Sequence, residues 1–194
     1  MLLDADESQL LLVDYQARLM PAIHESELVL RNALRLARIA KLLEIPVWGT
    51  EENPAGLGEN PPELKALCRK TLVKMHFSAC ADGLADLLRP PAKQGGNARS
   101  LPKHLQKPPA PERSAIVVAG CEAHVCMMQT ALDLLDEEFE VWVVTDACSS
   151  RSERNRDAAF DRLAAAGAEL VTTEMAAFEW LRTAEHPMFK EVLA

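Results

Sequence analysis

Apolar, β-rich runs alternate with helical patterns along most of the chain, and this alternation limits the possible folds more than any other feature. Six runs are nearly continuously apolar, as expected for strands that are buried on both faces. They cover residues 9–14, 46–51, 71–75, 115–120, 140–146 and 168–173. Strands that alternate with helices in this way are parallel and are joined by right-handed crossovers. The pattern therefore predicts a three-layer α/β/α sandwich.

Helical patterns fill most intervals between the strands, over residues 25–43, 80–88, 123–138 and 152–166. The length of 194 residues suffices for one sizeable core, so we expect a single domain over residues 1–194. A proline-rich insertion at 89–113 is too long for an ordinary connection. We expect it to be either a mobile surface segment or a functional lid.

Charge and cysteine content exclude several classes of protein. The net charge of −8 argues against a nucleic-acid partner. The acidic start of the chain is unlike a signal peptide, and no apolar run reaches the roughly 18 residues of a membrane span. Five cysteines are an odd number in a chain of this size, which favours free thiols in a reducing compartment. The expected location is the cytoplasm, with no membrane association.

Three chemically active residue types stand at the carboxyl ends of the predicted strands, where parallel sheets bind their ligands. Asp14 ends the first strand, Lys74 lies near the end of the third, and Cys126 begins the helix after the fourth. A buried aspartate needs a charged partner, and Lys74 has the right chemistry. This pair has two interpretations, a structural salt bridge or part of an active site.

Cys126 also has two interpretations on spacing alone. A thiol at a helix start feels the positive end of the helix dipole, and a nearby lysine favours the thiolate further. Free cysteine is nevertheless among the residues most often buried as simple packing. A zinc site is disfavoured because Cys121, His124 and Cys126 form one isolated cluster without a second ligand pair. The spacing leaves Cys126 undecided between a nucleophile and a core thiol.

Four segments resemble the isochorismatase-like cysteine hydrolases, in that family's order and spacing. They are LLLVDYQ around Asp14, LVKMHFSAC around Lys74, VVAGCEAHVCMMQTAL around Cys126, and the run VWVVTDACSSRSERNRDAAFDRLAAAGAELVTTEM. The resemblance covers nearly the whole chain except the 89–113 insertion. It implies a six-stranded parallel sheet of order 3-2-1-4-5-6, a Rossmann-like arrangement.

The resemblance also implies a catalytic mechanism. It assigns a triad of Asp14, Lys74 and Cys126, in which the thiol attacks a carbonyl carbon. It places a cis peptide between Cys121 and Glu122, with the backbone N–H groups of Glu122 and Cys126 forming an oxyanion hole. No cofactor is required.

Nicotinamidases of this superfamily bind a metal through an aspartate and histidines after the second strand. Here that region reads WGTEENPAGLG and contains no histidine, so we expect no metal. Residues at or just past strand ends are candidates for the substrate pocket, although packing explains each of them equally well. These candidates are Tyr15, Trp48, Glu51, His76 and Phe77.

The leading hypothesis is therefore a cofactor-independent cysteine hydrolase that cleaves a carbonyl C–N bond of a small molecule. One alternative is a vinyl-ether hydrolase of the isochorismatase type, with Asp14 as the acid. Another is a binding module without catalytic activity.

The C-terminal segment 174–194 carries many large apolar residues for short surface helices, which predicts a homo-oligomer, a dimer first. That segment or the 89–113 insertion is expected at the interface. The residues concerned are Met175, Phe178, Trp180, Leu181, Met188 and Phe189.

Overall fold

The structure, a computed structural model, describes residues 1–89 and 113–193. All six predicted strands are present as β1–β6. Their bounds are Ser8–Val13, Val47–Glu52, Lys70–Lys74, Ala115–Gly120, Glu140–Val144 and Glu169–Val171. All are parallel, in the order β3-β2-β1-β4-β5-β6. The predicted fold class and strand order are confirmed. The 89–113 insertion lies outside the described residues except for its two terminal arginines.

Eight α-helices, α1–α8, occur in the described part of the chain. They are Ser26–Leu42, Pro54–Leu57, Pro62–Lys65, Leu84–Leu88, Met128–Asp136, Glu153–Ala165, Thr173–Leu181 and Phe189–Leu193. None of the described helices is long and apolar enough to cross a membrane.

Two predicted helices are divided in the structure. The one expected at 80–88 is a 3₁₀ turn, Ala79–Asp82, followed by α4, because Gly83 between them has a φ of +91°. That left-handed conformation breaks the helical path and suits glycine. The helix expected at 123–138 begins with one π-helical turn, Ala123–Met127, before α5.

The order of the strands reverses between β1 and β4, and in open α/β sheets ligands bind in the crevice that such a reversal leaves. The crossover from β1 goes to β2 on one side, whereas the crossover from β4 goes to β5 on the other. Right-handed connections therefore place α1 and α5 on opposite faces of the sheet. Helix α1 packs against α7, and α5 packs against α6. Chain segments that leave β1 and β4 thus separate at their carboxyl ends, which is where open α/β sheets bind ligands.

The two central strands are fully buried and closely spaced. Every residue of β1 and β4 is buried, and the two strands pair in register from Ser8 and Ala115 to Val13 and Gly120. A Cβ atom added at Gly120 would lie 2.4 Å from the Val13 carbonyl oxygen and 2.5 Å from the Val13 Cβ. Only glycine fits at this point, immediately before the turn that leads to Cys126.

We therefore predict that Gly120→Ala lowers the free energy of unfolding by about 3 kcal/mol or more. Overpacking a core typically costs about 1–3 kcal/mol, and here backbone atoms rather than side chains must move. Gly49→Ala is the matched control in the neighbouring strand, where the new Cβ would meet side chains, with Cys68 Sγ at 3.1 Å. Urea unfolding of both variants checks the prediction. Equal losses of stability would contradict it.

Candidate active site at the strand switch point

Lys74 joins two buried carboxylates at the carboxyl ends of three neighbouring strands. Its Nζ lies 2.8 Å from Asp14 Oδ2 and donates a 2.8 Å hydrogen bond to Glu52 Oε2. It also donates to the carbonyl oxygens of His76 and Phe77, at 3.2 and 3.1 Å. The side chains of Asp14 and Lys74 are 0% exposed, and that of Glu52 is 11% exposed. The predicted ion pair is therefore part of a three-residue cluster.

The two-residue period of a β-strand explains why Glu52 belongs to this cluster and Glu51 does not. Alternate side chains of a strand share a face of the sheet. Thr50 and Glu52 face the cluster, since Thr50 Oγ1 donates a 2.7 Å hydrogen bond to Asp14 Oδ1. Glu51 faces away, where its carboxylate accepts from the Asn60 N–H and pairs with Lys65. The expected pocket residue Glu51 therefore lies on the other face, and its neighbour Glu52 lies beside Lys74 instead.

Gln16 fixes the backbone of Glu52. Its Oε1 accepts from the Glu52 N–H at 2.8 Å, and its Nε2 donates to the carbonyl oxygens of Glu52 and Gly58. A single buried amide therefore ties the end of β2 to the loop that follows. Glu52 is identified by its register opposite Lys74 in the β2–β3 pair, which exists only in the folded sheet.

Cys126 approaches this cluster from the turn after β4. A thiol atom of Cys126 and one carboxylate oxygen from each of Asp14 and Glu52 all lie within 4.8 Å of one another. The residue is 6% exposed and sits in the π-helical turn that precedes α5. The structure thus brings together the three residues that the resemblance assigns as a triad.

The thiol of Cys126 is protonated at neutral pH. Burial, together with the negative charge of Asp14, raises its pKa to about 12, although Lys74 acts in the opposite direction. The helix start and the lysine favour a thiolate when considered alone, but burial and two carboxylates outweigh them. Burial lowers the pKa of Lys74, yet Asp14 and Glu52 raise it above its ordinary value, so the lysine is charged.

Two backbone N–H groups belong to the turn that carries Cys126. The peptide between Cys121 and Glu122 is cis, as the resemblance implies. The N–H groups of Glu122 and Cys126 donate to no acceptor in the described residues outside the π-helical turn. The Glu122 carboxylate accepts from the N–H and Nε of Arg151, both at 3.0 Å, which fixes the turn. The N–H groups are therefore candidate donors to an oxyanion.

The other pocket candidates fall into two groups. Tyr15 is fully buried, and its hydroxyl donates to the Ala147 carbonyl, so its side chain packs in the core. Trp48 lies near the start of β2, and its indole N–H donates to Gln9 Oε1, away from the strand ends. Burial and these hydrogen bonds keep both side chains out of the crevice.

His76 and Phe77 lie next to the cluster through their backbone. Phe77 is 54% exposed, and its carbonyl oxygen accepts from Lys74. The His76 side chain is exposed, and its Nδ1 lies 3.2 Å from Asp82. Both remain candidates for the rim of a pocket.

The acidic groups of the site do not fit a divalent metal ion. Asp14, Glu52 and Cys126 each offer a possible ligand atom. Lys74 Nζ already lies 2.8 Å from both carboxylates and provides the positive charge there. A metal ion beside this ammonium group would face like-charge repulsion, and the thiol would have to lose its proton first.

Known proteins resemble this chain over nearly its whole length. A family model described as the isochorismatase domain matches residues 8–175. Isochorismatase domain-containing protein 2 from Xenopus laevis is 39% identical over 185 residues, which are 95% of this chain and 81% of the relative. Isochorismatase domain-containing protein 2B from Mus musculus is 36% identical over 187 residues, which are 96% of this chain and 80% of the relative.

Several solved structures share the fold of this chain. The MAR1 ribonuclease from Caenorhabditis elegans has a TM-score of 0.84 and 31% identity, covering 100% of this chain and 91% of its own. YcaC from Pseudomonas aeruginosa, described with hexane-2,5-diol and covalent acrylamide, has a TM-score of 0.82 and 26% identity over 99% and 90%. The YcaC gene product of Escherichia coli, described as an octameric hydrolase of unknown specificity, has a TM-score of 0.81 and 28% identity over 100% and 87%.

The buried cluster generates a prediction about stability. Lys74→Met leaves Asp14 and Glu52 buried without their cation, so we expect the free energy of unfolding at pH 7 to fall by about 3–5 kcal/mol. The matched control is Lys65→Met, which removes a partly exposed lysine that also joins two carboxylates and should cost about 1 kcal/mol or less. Urea unfolding measures both.

The pH dependence gives a second check on the same variant. The loss caused by Lys74→Met should be constant around neutral pH and should shrink only in strong alkali, where the wild-type ammonium group gives up its proton. The pKa of Lys74 is raised, so its contribution is complete below the unfolded value near 10.5 and is lost only at higher pH. A loss that is small at pH 7 or that stays unchanged in strong alkali would contradict the prediction.

Proposed function

Because the chain belongs to the isochorismatase domain family, whose relatives include hydrolases, we propose that it is a cofactor-independent cysteine hydrolase that cleaves a carbonyl C–N bond of a small molecule. The observation that carries this proposal is the meeting of Cys126, Asp14 and Lys74 in the crevice where the strand order reverses. A thiol, a carboxylate and a fixed ammonium group provide a nucleophile, a base and electrostatic support.

In the proposed first step, Asp14 takes the proton of the Cys126 thiol as the sulfur attacks the carbonyl carbon. Asp14 Oδ2 is buried and receives no hydrogen bond of good geometry from the described residues, which leaves a lone pair for this proton. The C–S bond forms as the electrons of the C=O double bond move to oxygen. Proton transfer and attack occur together because the thiol, with its pKa of about 12, is protonated beforehand.

The N–H groups of Glu122 and Cys126 then hold the oxyanion. When the C=O double bond reforms, the C–N bond breaks and the leaving nitrogen takes the proton from Asp14. Water next loses a proton to Asp14 and attacks the thioester, and the released sulfur takes that proton back. Lys74 holds Asp14 in place through these transfers, and the cycle needs no cofactor.

The Pseudomonas aeruginosa neighbour supports the choice of a cysteine nucleophile. It is described with covalent acrylamide, a small amide whose activated double bond alkylates thiols. A protein of the same fold thus reacts covalently with a small amide. In the present chain, Cys126 is the proposed nucleophile for such a molecule.

Two other activities fit the site less well. Vinyl-ether hydrolysis requires Asp14 to donate a proton, whereas here it forms a carboxylate–ammonium pair with Lys74. The Caenorhabditis elegans neighbour is described as a ribonuclease, but a net charge of −8 opposes binding of a polyanion to this chain. A binding module without chemistry would not require a carboxylate, an ammonium group and a thiol to be buried together.

We predict that Cys126→Ala lowers turnover at least about a thousandfold on any small amide that the wild-type protein hydrolyses, because the covalent step is lost. A panel of small primary and secondary amides, assayed for released ammonia or amine, identifies such a substrate. Cys80→Ala is the control, since Cys80 belongs to the 3₁₀ turn after β3 and is outside the proposed mechanism.

Circular dichroism should show that both variants are folded. Wild-type turnover by Cys126→Ala would exclude the covalent route. Incubation with isochorismate tests the alternative: pyruvate release that survives Cys126→Ala but not Asp14→Ala would favour vinyl-ether hydrolysis.

We also propose that the protein is a homo-oligomer, in line with the octameric description of the Escherichia coli neighbour. Of the six apolar residues expected near an interface, Trp180 and Leu181 are buried within their own chain. Met175 and Phe178 remain 46% and 44% exposed on α7. These two exposed side chains are the reason to expect a contact between copies through this segment.

Sedimentation equilibrium at micromolar concentration should give a multiple of the chain mass of 21.4 kDa. The double substitution Met175→Asp/Phe178→Asp should shift the mass towards the monomer, because it places charges in an apolar contact. Leu42→Asp, at another exposed apolar position, is the control and should leave the mass unchanged. A monomeric wild-type protein would contradict the proposal. If the double variant kept the wild-type mass, the interface would lie elsewhere.

A further inference from the structure

The site contains one more negative charge than the proposed mechanism requires. Asp14 and Glu52 are two carboxylates that share the single ammonium group of Lys74, and the thiol is neutral. Glu122 adds no net charge because Arg151 pairs with it. Within residues 1–89 and 113–193, no other side chain forms an ion pair with Asp14 or Glu52. The described cluster therefore has a net charge of −1.

Glu52 is the carboxylate of this cluster that a ligand can reach. Its side chain is 11% exposed, whereas those of Asp14 and Lys74 are 0% exposed. Its Oε2 accepts from Lys74, and its Oε1 accepts no hydrogen bond from the described part of the chain. Glu52 has one carboxylate oxygen within 4.8 Å of the Cys126 thiol, and its Oε1 is available to a bound molecule.

An uncompensated charge in a poorly solvated crevice attracts the opposite charge strongly. A ligand with an ammonium or amidinium group would neutralise the cluster and donate hydrogen bonds to Glu52. A ligand with a carboxylate would make the local net charge −2, and its carboxylate would be repelled by that of Glu52. The charge of the cluster therefore determines which ligand binds and does not change the reaction at the thiol.

We propose that Glu52 is a specificity-determining residue that makes the crevice select small molecules with a cationic group next to the carbonyl that Cys126 attacks. This assignment rests on the proposed function, because it names the substrate class for that reaction. It also disfavours dicarboxylates such as isochorismate. Asp14 and Lys74 supply the chemistry, and Glu52 supplies the choice of substrate.

Two methanethiosulfonate reagents of equal length test the proposal without any substrate. Both form a mixed disulfide with Cys126 and release methanesulfinate, and both have a two-carbon spacer. One ends in a trimethylammonium group and the other in a sulfonate. The rate of each reaction is followed by mass spectrometry of the peptide that contains Cys126. The ratio of the two rates cancels the fraction of thiolate, which is common to both reagents.

We expect the wild-type protein to react faster with the cationic reagent, and Glu52→Gln to lower the cation-to-anion ratio at least about tenfold. Glu52→Asp keeps the charge and should restore most of the ratio. Glu59→Gln is the matched control: it removes the same charge from a carboxylate that also lies 2.8 Å from a lysine, Lys65, but at an exposed position. Its ratio should remain close to that of the wild type.

Three results would overturn the assignment. They are equal wild-type rates with the two reagents, an unchanged ratio in Glu52→Gln, and an equal fall in Glu59→Gln. The first of these needs no variant and decides the matter even where Glu52→Gln does not fold. The test is separate from that of the proposed function. The absence of charge selection would refute only the role of Glu52, whereas turnover by Cys126→Ala would refute the covalent mechanism and leave the charge selection standing.

Discussion

The buried ammonium group of Lys74 is the interaction on which the site depends. It crosses from the edge strand β3, past β2, to the residue that follows β1, and so connects three neighbouring strand ends. Burial of three charged groups is unfavourable by itself, and mutual attraction compensates only when the geometry is good. The register that places Glu52 beside Lys74 provides this geometry. The pairing of the strands therefore also determines the chemistry of the crevice.

The reversal of strand order explains why a thiol can reach this cluster. The chain leaves β4 towards the opposite side from β1, so its turn passes over the open end of β1 rather than following it. Gly120 allows the two strand ends to approach closely, and the π-helical turn then directs Cys126 back towards Asp14. A nucleophile from one half of the sheet meets a base from the other half. Neither half contains both groups.

Local patterns in the sequence predict the fold well and the details of the site less well. Apolar runs predict β1 and β4 almost to the residue, since both strands are buried on both faces. They cannot decide which of two adjacent glutamates faces the cluster, because this depends on a register that forms only in the sheet. Trp48 lies away from the strand ends because β2 continues to Glu52, beyond it. The pKa of the Cys126 thiol also depends on burial, which the spacing of residues in the sequence does not reveal.

The protonated thiol has a consequence for the chemical durability of the protein. Peroxides and other oxidants attack thiolates, and a thiol with a pKa of about 12 offers very little thiolate at neutral pH. Many cysteine enzymes maintain a reactive anion at rest and lose activity when it is oxidised to a sulfinic acid. Here the sulfur is a latent nucleophile that acquires its reactivity only when a carbonyl carbon is within reach and Asp14 can take the proton. Between turnovers, burial and the same two carboxylates that hold Lys74 keep the resting sulfur protonated, which slows its reaction with oxidants.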